Sequence, residues 1–243
     1  MRRPGTRLIL GGIAALSILG AGALAIGGLD APGPIKARPA SERPRLMVVT
    51  TLPILFPEEF TLQGTGSKAL TALESRYAVV PIGTTDGRSL AGGRLLLLAH
   101  PLAQTAENLV ALDEWVRDGG RVLLLADPRL EWPSERPLGD RLRPPPGFAD
   151  TGLLAHWGLR LNAPDEPGPR DRTIAGRHVE TLSPGSLEGG CAISHDRLVA
   201  RCRIGRGRAT VIADADLLNV ERLGNPAHDN LDALLAELTR LER

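Results

Sequence analysis

Three aspartates stand where chemistry in an α/β protein tends to collect. Asp127 follows the apolar run RVLLLA, and Asp214 and Asp216 follow ATVIA. If these runs are strands of a parallel sheet, the carboxylates gather beyond its carboxyl ends, where such sheets bind ligands. Asn219 follows one turn later. Asp127, Asp214, Asp216 and Asn219 are therefore the candidate ligand- or partner-binding residues. Three carboxylates could hold a hard cation. The commoner task of aspartate at such positions is to cap turns and helices by accepting backbone N–H groups. His100 also ends a strand-like run, RLLLLA, but Pro101 follows it and no Ser or Cys stands nearby. A hydrolase needs a nucleophile within reach of a base and an orienting acid. The sequence has no G-x-S-x-G elbow, no H-E-x-x-H and no G-x-x-x-x-G-K-S/T. No catalytic residue, metal-ligand set or cofactor is assigned.

The two cysteines carry a different signal. Cys191 and Cys202 flank a predicted hairpin centred on Asp196-Arg197. Such a hairpin pairs residues whose numbers share one sum, and this sets Cys191 opposite Cys202. Opposed Cβ atoms lie about 4.5–5.5 Å apart, near the reach of a disulfide. An oxidising compartment permits that bond; two buried thiols are the alternative.

Composition narrows the classes. A length of 243 residues favours one domain, two at most. Lys+Arg 29 against Asp+Glu 28 gives a net charge of +1, which argues against a nucleic-acid binder with a broad basic field. With Trp 3, Tyr 1 and Phe 3, aromatic stacking platforms for bases are equally disfavoured. Hydrophobics at 42% suit a folded body. Two cysteines exclude a disulfide-rich scaffold and a four-thiolate zinc site.

The elements that must position these residues begin after an unusual N-terminus. Arg2, Arg3 and Arg7 precede an uncharged run from Leu8 to Leu29. A membrane-spanning helix needs about 20 apolar residues. The run reads as an uncleaved anchor with its arginines in the cytoplasm. A secretory signal cut near Ala23-Leu24-Ala25 and a buried core helix are the alternatives. Residues 30–44 hold Pro32, Pro34, Pro39 and Pro44 and read as an extended tether. Residues 45–243 read as one α/β domain.

Within it, Leu46–Leu52, Tyr77–Ile82, Arg94–Ala99 and Arg121–Ala126 are short apolar runs expected as strands. Ser67 is expected to cap a helix reaching Ser75. Thr105 to Val116 has helical spacing of Leu109, Leu112, Trp115 and Val116, with Gly119-Gly120 as its stop. Strand and helix in alternation imply a parallel sheet with right-handed crossovers. A Pro-rich excursion at 128–149 breaks the pattern; it reads as a lid, a partner-binding loop or a mobile surface segment. Residues 150–161 suggest a short helix, a Gly158 stop and a short strand, and Asn162–Arg172 a Pro-rich connector. From Cys191 to Ala213 the sequence suggests a small antiparallel meander and a last buried strand. Asp229–Leu241 closes the chain as an amphipathic helix with a stripe of Leu231, Leu234, Leu235, Leu238 and Leu241.

The segment LLLLAHPLAQTAENLVALDEWVRDGGRVLLLADP and the tail GRGRATVIADADLLNVERLGNPAHDNLDALLAELTRL together resemble the auxiliary proteins of gliding-motility-type ABC transport systems (GldG-like). The resemblance covers roughly Leu46–Pro128 and Arg203–Leu241, and leaves Arg129–Arg201 unmatched. It implies a three-layer fold like that of glutamine amidotransferases or flavodoxin, with the catalytic cysteine absent. It also implies an extracytoplasmic domain beside an ABC permease or other inner-membrane protein.

The expectation is thus a non-enzymatic accessory domain, single-pass in a bacterial inner membrane through residues 8–29, with its body in the periplasm or, after signal cleavage, secreted. It takes no cofactor and no nucleic acid. A divergent hydrolase or metal-dependent enzyme using the strand-end carboxylates with His100 is the alternative, and a two-lobed solute-binding component a third.

Overall fold

A computed structural model describes residues 32–56, 66–223 and 229–243 of the chain. The run at 8–29, expected as a membrane anchor, lies outside them. Among the described residues no helix is long and apolar enough to cross a membrane.

β1 (Arg45–Thr50) has four consecutive buried positions, as a strand covered on both faces must. α1 (Lys68–Glu74) starts where the Ser67 hydroxyl accepts the Leu70 N–H at 3.0 Å. β2 (Ala78–Pro81) follows, then α2 (Gly87–Leu90), a turn of helix capped by Asp86. β3 (Leu95–Ala99) is buried throughout. α3 (Ala106–Arg117) is capped by the Thr105 hydroxyl, and Gly119 behind it takes φ +105°. The next glycine, Gly120, faces Trp115 so closely that a Cβ there would lie 2.3 Å from the ring. β4 (Arg121–Leu125) completes the first half. The second half is shorter-stepped: α4 (Leu153–His156), β5 (Leu159–Asn162), β6 (Pro169–Ile174), β7 (Arg177–Leu182), β8 (Ser186–Gly189), β9 (Ala192–Ile193), β10 (Val199–Ile204), β11 (Gly207–Ile212), α5 (Val220–Leu223) and α6 (Asn230–Glu242).

Seven strands form one sheet in the order β2-β1-β3-β4-β11-β10-β9. The first five are parallel; at the far edge β10 pairs antiparallel with β11 and β9 antiparallel with β10. The register sets Met47, Leu96, Val122 and Ala209 side by side, and likewise Val49, Leu98, Leu124 and Val211. All eight are buried. α1 packs with α6, and α2 with α3. The chain steps from β1 to β2 on one side and returns to β3 on the other, so the strand order reverses between β1 and β3.

Three sequence expectations are corrected. Asn162–Arg172 is not all connector: β6 begins at Pro169 and forms a separate ribbon with β7. Its turn is Ala175-Gly176, with φ of +52° and +78°. Alanine stands where Asn or Gly would advertise such a turn, which hid it. The antiparallel strands β9 and β10 are no separate extension; they continue the main sheet, and a second small ribbon pairs β5 with β8. The segment expected as an extended tether lies docked over its described part. Ile35 N–H donates to Asp232 at 3.2 Å, Arg38 N–H to the Ser75 carbonyl at 2.8 Å, and buried Arg177 donates to the carbonyls of Pro32 and Gly33.

The 128–149 excursion holds no helix or strand. Phe148 N–H donates to the Asp127 carbonyl at 2.6 Å and closes its neck, so it is an Ω-shaped loop. Leu130, Trp132 and Phe148 pack against the core.

Candidate functional site

The parallel strands deliver Asp127 from the end of β4, and Asp214 and Asp216 from just beyond β11. β4 and β11 are neighbours, so the three carboxyls meet. None is more than 1% exposed. Asp127 Oδ1 accepts the Arg129 N–H at 2.8 Å, and its Oδ2 accepts Ala215 N–H at 2.8 Å and Asp216 N–H at 3.4 Å. Asp214 Oδ1 accepts Leu217 N–H at 2.7 Å, and its Oδ2 accepts Leu182 N–H at 3.0 Å. Asp216 Oδ2 accepts Glu131 N–H at 2.7 Å. These are capping and loop-tying bonds, the use in which short polar side chains compete for backbone donors. Asn219 is buried and stands one turn on; its carbonyl accepts the N–H groups of Arg222 and Leu223, the last two residues of α5.

Burial dominates the electrostatics. It pushes the Asp127 carboxyl up to about 6, against the N–H donors that favour its charge. Burial also lifts Asp216 to about 7, against the Glu131 N–H and the Arg222 cation that favour its charge, with the Asp127 charge adding to the rise. Asp214 is held well above the usual carboxylate range by burial and by both neighbours. Among the described residues no group of three or more His, Cys, Asp and Glu is disposed to hold a metal ion.

His100 comes to the same end of the sheet but turns to the Ω-loop. Its Nε2 lies 2.9 Å from the Pro145 carbonyl, which can only accept, so Nε2 carries the hydrogen. Burial lowers the pKa of the ring and keeps it neutral. Its backbone is left-handed, φ +49°. Ser183, also buried, is left-handed at +51°; its hydroxyl binds the Glu131 carboxylate. Two strained non-glycine residues therefore both hold this loop.

Glu131 is the loop's foothold. Its N–H goes to Asp216, its carbonyl accepts from Arg222, and its carboxylate meets Ser183 and, at 3.5 Å, Arg129. Sequence reasoning missed Glu131 and Ser183, which no local pattern marks. It also missed Asn230, whose side chain bonds the Glu180 N–H and the carbonyls of Glu180 and Leu217. A signal existed there: Asn230 lies on the same helical face as Leu234, Leu238 and Leu241, and a polar residue on a buried face must find partners.

A groove of about 490 Å³ opens at the carboxyl ends of β1 and β2, lined by Thr50, Leu52, Phe56 and Ile82 and, from the Ω-loop, by Arg136 and Leu142. Phe56 is 72% exposed and Leu142 67%; Leu138 on the same loop is 84% exposed.

At the far edge, Cys191 and Cys202 are joined by a disulfide with Cα atoms 4.8 Å apart. The register beside it, Ala200 with Ile193 and Arg201 with Ala192, is the one expected from the hairpin centre.

No protein-family model matches the chain, and no curated protein matches it. Solved structures are similar to it in part. The mmIFT52 N-terminal domain is 14% identical with a TM-score of 0.53, covering 82% of this chain and 96% of that one. A cytoplasmic protein from Salmonella typhimurium is 9% identical with a TM-score of 0.50, covering 82% and 98%. The exo-beta-1,4-mannosidase Op5Man5 from Opitutaceae bacterium strain TAV5 is 13% identical with a TM-score of 0.48, covering 82% of this chain; the match spans only 36% of the mannosidase. At such identities the likeness to the first two speaks for the fold alone, and the likeness to the mannosidase carries no argument.

Proposed function

We propose that this chain is a membrane-anchored extracytoplasmic accessory domain that works by binding a partner protein. The partner is an ABC-type permease or another inner-membrane protein, as the GldG-like sequence segments imply. The fold reading that goes with this is a three-layer arrangement of the flavodoxin or glutamine-amidotransferase kind. Its support is the strand order 2-1-3-4 followed by β11, and the pairing of α1 with α6 and α2 with α3. The apolar run at 8–29 supplies the anchor, and the Cys191–Cys202 bond suits an oxidising compartment.

One observation carries the binding reading. At the end of the sheet where α/β proteins act, the carboxylates accept backbone N–H groups and tie down the 128–149 loop, which presents Leu138 and Leu142 to solvent, with Phe56 exposed on the groove that Leu142 also lines. Clustered exposed apolar side chains mark interaction surfaces. Cross-linking and co-purification of the intact protein from membranes tests this. We expect a membrane protein to be recovered with the wild type and lost with a Phe56→Ser, Leu142→Ser pair. Surface changes of this kind leave stability within about 0.5 kcal/mol. Recovery of a soluble, partnerless chain overturns the reading.

The second reading, a divergent hydrolase or metal-dependent enzyme, draws on Asp127 and Asp216. Burial places both carboxyls near neutrality, the range in which general acids and bases work. Metal analysis and hydrolase assays on an Asp214→Ala, Asp216→Ala pair decide it. Loss of stability alone, with no metal bound, removes it.

A further inference from the structure

The Asp127–Asp214–Asp216 cluster has six carboxyl oxygens in a buried space, and five of them accept backbone N–H groups. The sixth, Asp216 Oδ1, is buried without a hydrogen-bond partner. An unpartnered anionic oxygen out of water is costly. It is also the one position in the cluster where a proton can sit without displacing an N–H donor. The same carboxyl, through Oδ2, holds the Glu131 foothold of the Ω-loop.

We propose that the 128–149 loop is a proton-latched lid over the strand ends. It is shut while the Asp216 carboxyl holds a proton, and it swings away from its Glu131 foothold when that carboxyl ionises. The inference concerns the lid itself and stands whichever partner the domain binds.

The groups around the cluster set its direction. Asp127 comes from β4, Asp214 and Asp216 from beyond β11, and Glu131 from the loop; all four are acidic. Arg222 on α5 is the cation that Asp216 senses, and it also grips the Glu131 carbonyl. Arg129 is spent on Glu131 at 3.5 Å. From β3, His100 is neutral and turned to Pro145. From β7 and α6, Glu180 and Asn230 bond to each other's polar groups. Negative charge thus outnumbers positive, and three ionised neighbours repel in a medium that screens them little. Opening would let Asp216 reach water. It would also carry off Leu142 and Arg136, and with them one wall of the apolar groove. The two left-handed residues that hold the lid, His100 and Ser183, would be freed of that contact as well.

Hydrogen exchange of the full chain between pH 5.5 and 8.5, corrected for the intrinsic pH dependence of exchange, tests the latch. We expect the amides of Arg129, Glu131 and Leu130 to lose about tenfold in protection for each pKa unit that closure adds, while β3 and β4 amides keep theirs. Asp216→Asn removes the titrating group but keeps an oxygen for the Glu131 N–H, so it should level the loop's profile. Loop protection that is flat with pH overturns the proposal, as does a loop that loses protection only together with the core. Should the variant not fold, the wild type still decides. An infrared band of a protonated carboxyl, present at pH 6 and weakened by pH 8.5, is expected, and its absence at pH 6 refutes the latch.

Discussion

Asp127 Oδ2 accepts the N–H of Ala215 at 2.8 Å, so a side chain at the end of one strand fixes the turn that leaves its neighbour. Asp127→Ala leaves the Ala215 and Arg129 N–H groups without an acceptor in a site that excludes water. Each such orphan costs about 1–3 kcal/mol, offset in part because a like charge leaves the side of Asp214. We expect a net loss of about 2 kcal/mol in urea unfolding. Asp127→Asn keeps an acceptor oxygen and should lose less. Equal losses for the two variants would mean that the carboxyl group acts by charge and not by tying the turns.

The same cluster gives stability an unusual slope with pH. Asp127 and Asp216 have folded-state pKa values raised to about 6 and about 7. A raised carboxyl favours the folded state below its unfolded pKa and withdraws that contribution as pH climbs through the folded one. Asp86 and Asp113 lie below the usual range, so their contributions fade only in acid, below the ordinary carboxylate pKa. Buried His100, its ring pKa lowered, opposes the cluster below the ordinary histidine pKa of about 6.5, so between about pH 6.5 and 8 the buried cluster prevails, and the urea midpoint should fall as pH rises. Asp216→Asn should flatten that fall. A midpoint that rises over this window would contradict the burial argument.

The docked N-terminal segment rests on Arg177. Its side chain is 2% exposed, donates to the Pro32 carbonyl at 3.1 Å and to Gly33, and lies 3.5–3.6 Å from Asp229 and Asp232. Arg38, paired with Glu242 at 2.8 Å, pins the other end. Arg177→Met keeps the stem's packing and removes every one of those bonds. A change of about 1.4 kcal/mol is tenfold in the open population. Trypsin cleavage after Lys36 should accelerate by at least that factor, with the sheet still intact. Unchanged cleavage would show that Ile35 and Arg38 hold the segment alone.

Much of this arrangement was legible in the order of residues. The runs LLLLA and RVLLL are too apolar and too short to be anything but strands covered on both faces, and Ser67 and Thr105 mark their helices by cap chemistry. Strand ends then follow, and with them the meeting of Asp127 with Asp214 and Asp216. What stayed hidden depends on contacts far apart in sequence. Nothing near Glu131 announces Ser183, 52 positions away, or Arg222. Glu237 is fully buried on α6 and bonded to Arg201 of β10, a pairing that only the packing of helix on sheet creates. The Ala175-Gly176 turn was hidden for a local reason, since alanine seldom takes the left-handed conformation seen there.

The Cys191–Cys202 bond closes a short loop across the antiparallel edge, its ends 11 apart in sequence. In the chain-entropy account, a loop of that size contributes about 3 kcal/mol by restricting the unfolded chain. Cys202 is almost fully buried while Cys191 is half-buried, so their replacement by serine would add a polar burial cost at Cys202 alone. A Cys191→Ala, Cys202→Ala pair isolates the cross-link. Its melting temperature should drop by the same amount that a reductant takes from the wild type, and reductant should leave the variant unmoved. A wild type indifferent to reductant, with free thiols detected after purification without reductant, would remove both the bond and the support it lends to an oxidising compartment.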